Sequence, residues 1–186
     1  YTPYLRHQRP SKIAGWFPLV GVFLLSGCAS IMGSVTGGLA SNLSAAILNS
    51  DDPAMIRDGA PSYLILIDSL VAGSPDNSML LAQSAELHSA YAGAFVEDPV
   101  RAARLNRKAK AQILRSTCLS LKNACGLETR DFDEFSAWVD TQGLSSVPAL
   151  YNLGSIWAGW IQGNSSDFAA IAQLGRVKAL IQRVAD

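Results

Sequence analysis

The residues that could carry chemistry are few, and His88 and Asp68 are the first candidates. His88 is the only histidine beyond residue 27. A lone histidine excludes zinc sites built from several histidines and the HExxH motif, and the sequence has no GxSxG elbow. His88 shares an apolar helical stripe with Ala85 and Ala92, so we interpret it as a hydrogen-bonded core or cavity residue. Asp68 lies in the most apolar segment, but such residues more often end an element or cap a neighbour. We therefore expect no catalytic residue, no metal site, no cofactor and no enzyme activity.

Aromatic residues are the more suggestive group. Leu150, Leu153, Trp157 and Trp160 share one face of a predicted helix. Clustered Trp and Tyr residues make apolar walls with polar tips, which suit a ligand cavity. The simplest interpretation is plain core packing, and the functional alternative is a cavity lined by Tyr63, Tyr91, Trp157 and Trp160. The full set of candidate ligand or cavity residues is Tyr63, Tyr91, Phe95, Tyr151, Trp157 and Trp160.

A run of cations is the third candidate site. Six residues hold half of the positive charge beyond residue 27: Arg101, Arg104, Arg107, Lys108, Lys110 and Arg115. The simplest interpretation is a solvated outer helix face. The alternative is a surface for an acidic partner or for anionic lipid headgroups.

The N-terminal residues predict a lipoprotein signal peptide over 1–27. Three cations precede a short apolar run, which ends in Leu25-Ser26-Gly27-Cys28. That run is too short to cross a bilayer, which needs about 20 apolar residues. A small residue pair before a cysteine predicts lipidation of Cys28, the new N-terminus, with Ala29 favouring release to the outer membrane. The first residue is Tyr rather than Met, so we expect the start of the protein upstream.

The two remaining cysteines, Cys118 and Cys125, predict a disulfide in an oxidising periplasm. Within one continuous helix their separation would be roughly 10 Å, beyond disulfide reach. The pairing therefore requires the helix to stop near Lys122-Asn123 and the chain to turn back. The alternative is two buried thiols.

Composition predicts a globular domain outside the membrane. Of the 186 residues, 49% are hydrophobic and 16% charged, which excludes a disordered chain. Removing residues 1–27 takes away three of the 15 Lys and Arg and no acid, leaving 12 cations against 15 anions. A net charge of −3 argues against nucleic acid as a partner. No later stretch is long and apolar enough to span a membrane.

The elements that must position these residues are all helical. A flexible tether is expected over 28–38, followed by a helical domain over 39–186. We predict helices over 39–48, 53–72, 78–96, from 99 onward with a C-terminal signal at Gly126, 132–141, 148–162 and 166–184. Gly59 and Pro61 should kink or restart the second helix, and Tyr63 to Ala72 should be buried on all sides. The third and fourth helices form a hairpin with weak tetratricopeptide spacing, so we predict tetratricopeptide-like hairpins packed in one bundle or superhelix.

Several segments together resemble the TatT family, the T components of TRAP (tripartite ATP-independent periplasmic) transporters. The similar stretches are 78–97, Pro99-x-Arg101-Ala102, 131–135 and 149–161. The resemblance implies a periplasmic, lipid-anchored, all-helical protein with an apolar pore or cleft. It also implies a homotrimer that docks the solute-binding P component and binds or relays small hydrophobic or organic-acid ligands. Family members continue past the position of Asp186, so we expect part of the core and trimer surface to lie beyond it.

Two other classes remain open. A helical envelope scaffold would need only a groove for a partner. A lytic-transglycosylase-like enzyme would need a glutamate general acid, and Glu86, Glu97, Glu128 and Glu134 are available. The Glu-Ser pair typical of those enzymes is absent, which argues against the enzyme.

Overall fold

The computed structural model describes residue 38 and residues 41–186. The predicted signal peptide 1–27, Cys28 and all of the tether except Gly38 lie outside the described residues. Over the described residues the protein is helical and contains no strand, which confirms the all-α prediction.

Eight α-helices and one short 3₁₀ turn follow one another in the described part of the chain. They are α1 (residues 41–48), α2 (Pro53–Gly73), α3 (Ser78–Phe95), α4 (Pro99–Ser120), α5 (Phe132–Asp140), the 3₁₀ turn (Leu144–Ser146), α6 (Val147–Gln162), α7 (Phe168–Ile171) and α8 (Leu174–Ala185).

Side-chain caps explain why four helices begin where the sequence predicts. In each case the side-chain oxygen of the residue before the helix accepts a hydrogen bond from a backbone N–H of the first turn. Proline then occupies the first turn of α2 and α4, where its missing N–H costs nothing. The capping residues are Asp52, Asn77, Asp98 and Asp131.

Two features of the second helix differ from the sequence prediction. Of the predicted kink or restart, the restart does not occur, since α2 runs on through Pro61 to Gly73. Nor is it buried all round: Tyr63, Leu64 and Ile67 are buried, whereas Ile65 is 72% exposed. Because this segment is apolar on all sides, the sequence does not indicate which face of α2 is buried. That face is defined only by the elements against which α2 packs.

The predicted helix over 166–184 is also interrupted, giving α7 and α8 with residues 172–173 between them. At this break the Gln173 side chain accepts hydrogen bonds from Trp157 Nε1 at 2.8 Å and from Lys110 Nζ at 3.1 Å. The interruption thus places a polar group among otherwise apolar helices.

Packing divides the buried side chains into two clusters. The first, around Ile67, Leu80 and Leu87, joins α2 to α3. The second, around Phe135, Leu150 and Trp157, joins α4, α5, α6 and α8. The hairpin of α3 and α4 makes the most extensive helix–helix contact and links the clusters, because Ala85 of α3 belongs to the second one.

Candidate functional site

An apolar cavity of about 220 Å³ lies where α1, α2 and α3 meet. Its wall on α2 comes from Ala60, Tyr63 and Leu64, which follow the i, i+3, i+4 spacing of one helix face. Its wall on α3 comes from Leu87, Tyr91 and Ala94, spaced by four and three residues. Apolar side chains therefore converge from both helices, and α1 closes the cavity with Ile47 and Leu48.

Two tyrosines give the cavity its polar tips. Tyr63 is 8% exposed and Tyr91 is 7% exposed. Burial raises the pKa of the Tyr63 hydroxyl, and a hydrogen bond with Ser44 of α1 opposes that rise. The ring of Tyr91 packs against Phe95 with 5.7 Å between centroids, and the Arg101 guanidinium lies 5.7 Å from its centroid. The Tyr63 hydroxyl therefore stays neutral at physiological pH, so the site suits neutral or apolar ligand atoms.

The cavity brings together only three of the six predicted aromatic residues, namely Tyr63, Tyr91 and Phe95. Tyr151 of α6 is 55% exposed and lines a separate groove. Trp157 is fully buried in the second cluster, and Trp160 packs against that cluster from its edge. A single cavity walled by Tyr63, Tyr91, Trp157 and Trp160 is therefore not what forms.

Trp157 and Trp160 instead enclose the ammonium group of Lys110, which is 3% exposed. Lys110 Nζ lies 4.8 Å from the ring centroid of Trp157 and 3.5 Å from that of Trp160. It also donates to Glu128 Oε1 at 2.7 Å and to Gln173 Oε1 at 3.1 Å. Burial lowers the pKa of Lys110, and the Glu128 carboxylate partly offsets this. We call these residues, Lys110, Glu128, Trp157, Trp160 and Gln173, the tryptophan cluster; in it the Lys110 ammonium group occupies the space between the two indole rings.

His88 lies in a closed polar network between α2, α3 and α4. It is 2% exposed, and its Nδ1 donates to the Ser84 backbone oxygen at 2.7 Å. Its Nε2 lies 3.5 Å from Asp68 Oδ2, and Asp68 is also paired with Lys108. Burial is the main reason that the pKa of His88 is lowered.

Serine, histidine and aspartate therefore meet here, yet the arrangement cannot work as a nucleophilic triad. Ser84 has no exposed surface, so a substrate carbonyl has no path to its hydroxyl. The hydroxyl also lies within 3.3 Å of Asp68 Oδ1, where it donates to a carboxylate instead of being activated by His88. The network connects α2, α3 and α4, so its role is structural.

Comparison with known proteins assigns a family to the chain from residue 49 onward. A family model described as TRAP transporter T-component matches residues 49–186. The chain belongs to this family. The resemblance expected from the sequence is thus confirmed, and membership supports an accessory role in a TRAP transport system and a periplasmic location. No curated protein and no solved structure matches the chain.

Three of the six cations in the predicted run are paired with acids of this T component. Lys108 pairs with Asp68, Lys110 with Glu128, and Arg115 with Asp76 at 2.7 Å. Arg101 lies over Tyr91. Arg104 and Arg107 are exposed on α4. The run is therefore not one uniform basic face, because Lys110 points inward and the others divide among separate contacts.

The disulfide forms where the T component turns after α4. Helix α4 ends at Ser120, Asn123 adopts a φ of 56°, and Cys118 and Cys125 are bonded with Cα atoms 4.3 Å apart. Arg130 donates to the backbone oxygens of Asn123 and Cys125. The turn delivers Glu128 to Lys110, a pairing between residues 18 apart in sequence that spacing alone did not indicate.

Across residue 38 and residues 41–186, none of the helices has the length and apolar character to span a membrane. The same residues contain no group of three or more His, Cys, Asp or Glu side chains placed to hold a metal ion.

Proposed function

We propose that this T component is a lipid-anchored periplasmic protein that holds a small apolar ligand for a TRAP transport system. The observation that supports this is the apolar cavity walled by Tyr63, Leu64, Leu87 and Tyr91. In the proposed role the cavity binds or relays the ligand, and the protein docks the solute-binding P component.

The size of the cavity sets the ligand class. Its volume of about 220 Å³ is below the roughly 300–1,000 Å³ of sites for drug-sized molecules. It suits a short alkyl chain or one ring. Each methylene buried there contributes about 0.8 kcal/mol, which is roughly a fourfold decrease in Kd.

A homologous series tests this proposal. We expect the Kd of n-alkanols, measured by displacement of an apolar fluorescent probe, to fall about fourfold per methylene until the cavity is full. Ala94→Trp should abolish binding, because Ala94 lines the cavity. Ala111→Trp, on an exposed position of α4, is the matched control and should bind like the wild type. Equal binding by both variants would contradict the proposal.

The anchor is a separate part of the proposal. Leu25-Ser26-Gly27-Cys28 supports lipidation, and attachment by two or more acyl chains is stable. We expect Cys28→Ala to move the protein from the membrane fraction, in our proposal the outer membrane, to the soluble fraction. Unchanged fractionation of the variant would refute the anchor.

Assembly follows the family resemblance. We infer tetratricopeptide-like packing, supported by the hairpin of α3 and α4 joined by residues 96–98. We also infer a homotrimer, for which light scattering should give three times the mass of one chain. A monomer at micromolar concentration would contradict the trimer.

A helical scaffold is the second candidate function, favoured by apolar residues that α2 exposes. Ile65 is 72% exposed, Met55 59% and Leu66 46%. Native mass spectrometry separates the two functions. A small co-purified ligand supports the relay, whereas a ligand-free protein bound to another envelope protein supports the scaffold.

A further inference from the structure

A second groove, of about 240 Å³, lies beside the apolar cavity, between α3 and α6. Its walls carry the side chains of Glu86 and Ser89 from α3 and of Tyr151, Asn152 and Ser155 from α6. Leu48 and Ala90 line both the groove and the cavity. The two spaces are therefore neighbours that share a wall.

Helix α3 sets the distance between them. Glu86, Ala90 and Ala94 are spaced by four residues and so lie on one face, one turn apart. Ala94 lines the cavity, Ala90 lines both spaces, and Glu86 lines the groove. Eight residues of helix put Glu86 about 12 Å from Ala94 along the axis. A ligand with an apolar body in the cavity would reach the groove with its head group.

The chemistry of the groove favours a cation. Among the described residues that line the two spaces, only Glu86 carries a charged side chain. It is half-buried, and within the described residues it makes no hydrogen bond or ion pair. Burial raises its pKa because the carboxylate has lost part of its hydration without gaining a partner. An ammonium group would supply the missing partner.

Tyr151 completes the pair of groups that recognise organic cations. Tyr151 is 55% exposed and lines the same groove. A carboxylate beside an accessible aromatic face attracts an ammonium by charge and by the quadrupole of the ring. A carboxylate ligand would instead be repelled by Glu86.

We propose that the groove binds the ammonium head of an amphiphilic ligand whose apolar body occupies the neighbouring cavity, with Glu86 and Tyr151 as the recognition residues. This rests on the proposed function, since it names the class of ligand that the cavity receives. It replaces the organic acids suggested by the family resemblance with organic cations.

Three probes of equal chain length test this: n-octylammonium, n-octanol and n-octanoate, each measured by isothermal titration calorimetry. We expect n-octylammonium to bind about tenfold more tightly than n-octanol, as a hydrogen bond to a charged group provides, and n-octanoate to bind most weakly. Glu86→Gln should remove the preference for the ammonium and leave n-octanol binding within about twofold. The matched control, Glu134→Gln on the exposed surface of α5, should keep it.

The outcomes separate the two proposals. If none of the three probes binds, the apolar cavity itself fails as a ligand site. If n-octanol binds but n-octylammonium is no tighter, or if Glu86→Gln keeps the preference, the cation site is wrong while the proposed function stands. Tyr151→Ala, at an exposed position that does not threaten folding, provides an independent check and should also weaken n-octylammonium selectively.

Discussion

The apolar cavity and the tryptophan cluster begin from the same kind of sequence and end differently. Both place aromatic residues at helical spacing beside small residues. In the cavity Tyr63 and Tyr91 keep 8% and 7% of their surface and border a space of about 220 Å³. In the tryptophan cluster Trp157 keeps none, because Lys110 fills the gap between the two indole rings. The spacing of aromatic residues thus defines one face of a helix. The side chains packed opposite that face determine whether it borders a cavity or becomes part of the core.

The largest expected loss of stability comes from truncating Trp157, at the centre of the tryptophan cluster. Trp157→Ala should destabilise the fold by about 3–5 kcal/mol, as fully buried aromatic residues do, and it also removes the Trp157–Gln173 hydrogen bond. Phe95→Ala, at the half-buried edge of the cavity, should cost about 1–2 kcal/mol. Urea unfolding followed by circular dichroism measures both. Equal losses would mean that the two regions are packed alike.

The next largest effect concerns the turn that delivers Glu128 to the cluster. Cys125→Ser should destabilise the fold by about 2.5 kcal/mol, the entropic effect of a short loop. Alkanol binding in the cavity should persist, since the turn lies outside it. The wild type in reducing buffer should approach the variant, and the variant should not respond to reductant. If reduction leaves the urea midpoint of the wild type unchanged, the disulfide does not stabilise the fold and the prediction is wrong.

Two glycines, Gly154 and Gly93, should give smaller stability changes of opposite sign when they are replaced by alanine. A Cβ at Gly154 would lie 2.9 Å from Ile181 Cδ1 and 3.3 Å from Leu180 Cβ, so Gly154→Ala should destabilise by about 1–2 kcal/mol. At Gly93 of α3 a Cβ would meet nothing within 4 Å. Gly93→Ala should stabilise the helix by about 0.5–1 kcal/mol. Shifts of the same sign in thermal unfolding would show that α6 and α8 are not in close contact.

The smallest effect is a pH dependence at His88. Its pKa in the folded state is below the usual 6.5 because of burial, so the unfolded chain binds a proton more readily. Stability is then complete above pH 6.5 and falls as the pH decreases below it. His88→Gln should flatten this slope between pH 6.5 and 5, with Asp68 and Lys108 unchanged. Identical slopes for variant and wild type in urea titrations would contradict the assignment.

Much of the fold follows from local signals that the sequence carries. The capping residues Asp52, Asn77, Asp98 and Asp131 and the first-turn prolines set four helix starts to within a residue. A period of 3.6 identified the buried face of α3. These features depend on neighbours within a few residues, which is why they can be predicted.

The site could be predicted only in part, because it depends on partners distant in sequence. Lys110 looks like one cation among six, and its burial requires Glu128 and Gln173, 18 and 63 residues away. The sequence indicates Tyr63 and Tyr91 as candidates by their residue type. It does not indicate which aromatic residues lie next to one another in the fold. In the sequence Glu86 is one of four candidate acids for an enzyme, and its position beside Tyr151 in one groove becomes visible only once α3 and α6 pack together.

Xenon binding in a crystal tests most directly the contrast between an open cavity and a closed cluster. Dry apolar cavities take up xenon, whereas filled cores do not. The account predicts a xenon peak between Tyr63 and Tyr91 and none beside Trp157. A peak at Trp157, or a cavity between the tyrosines that holds ordered water and excludes xenon, would contradict it.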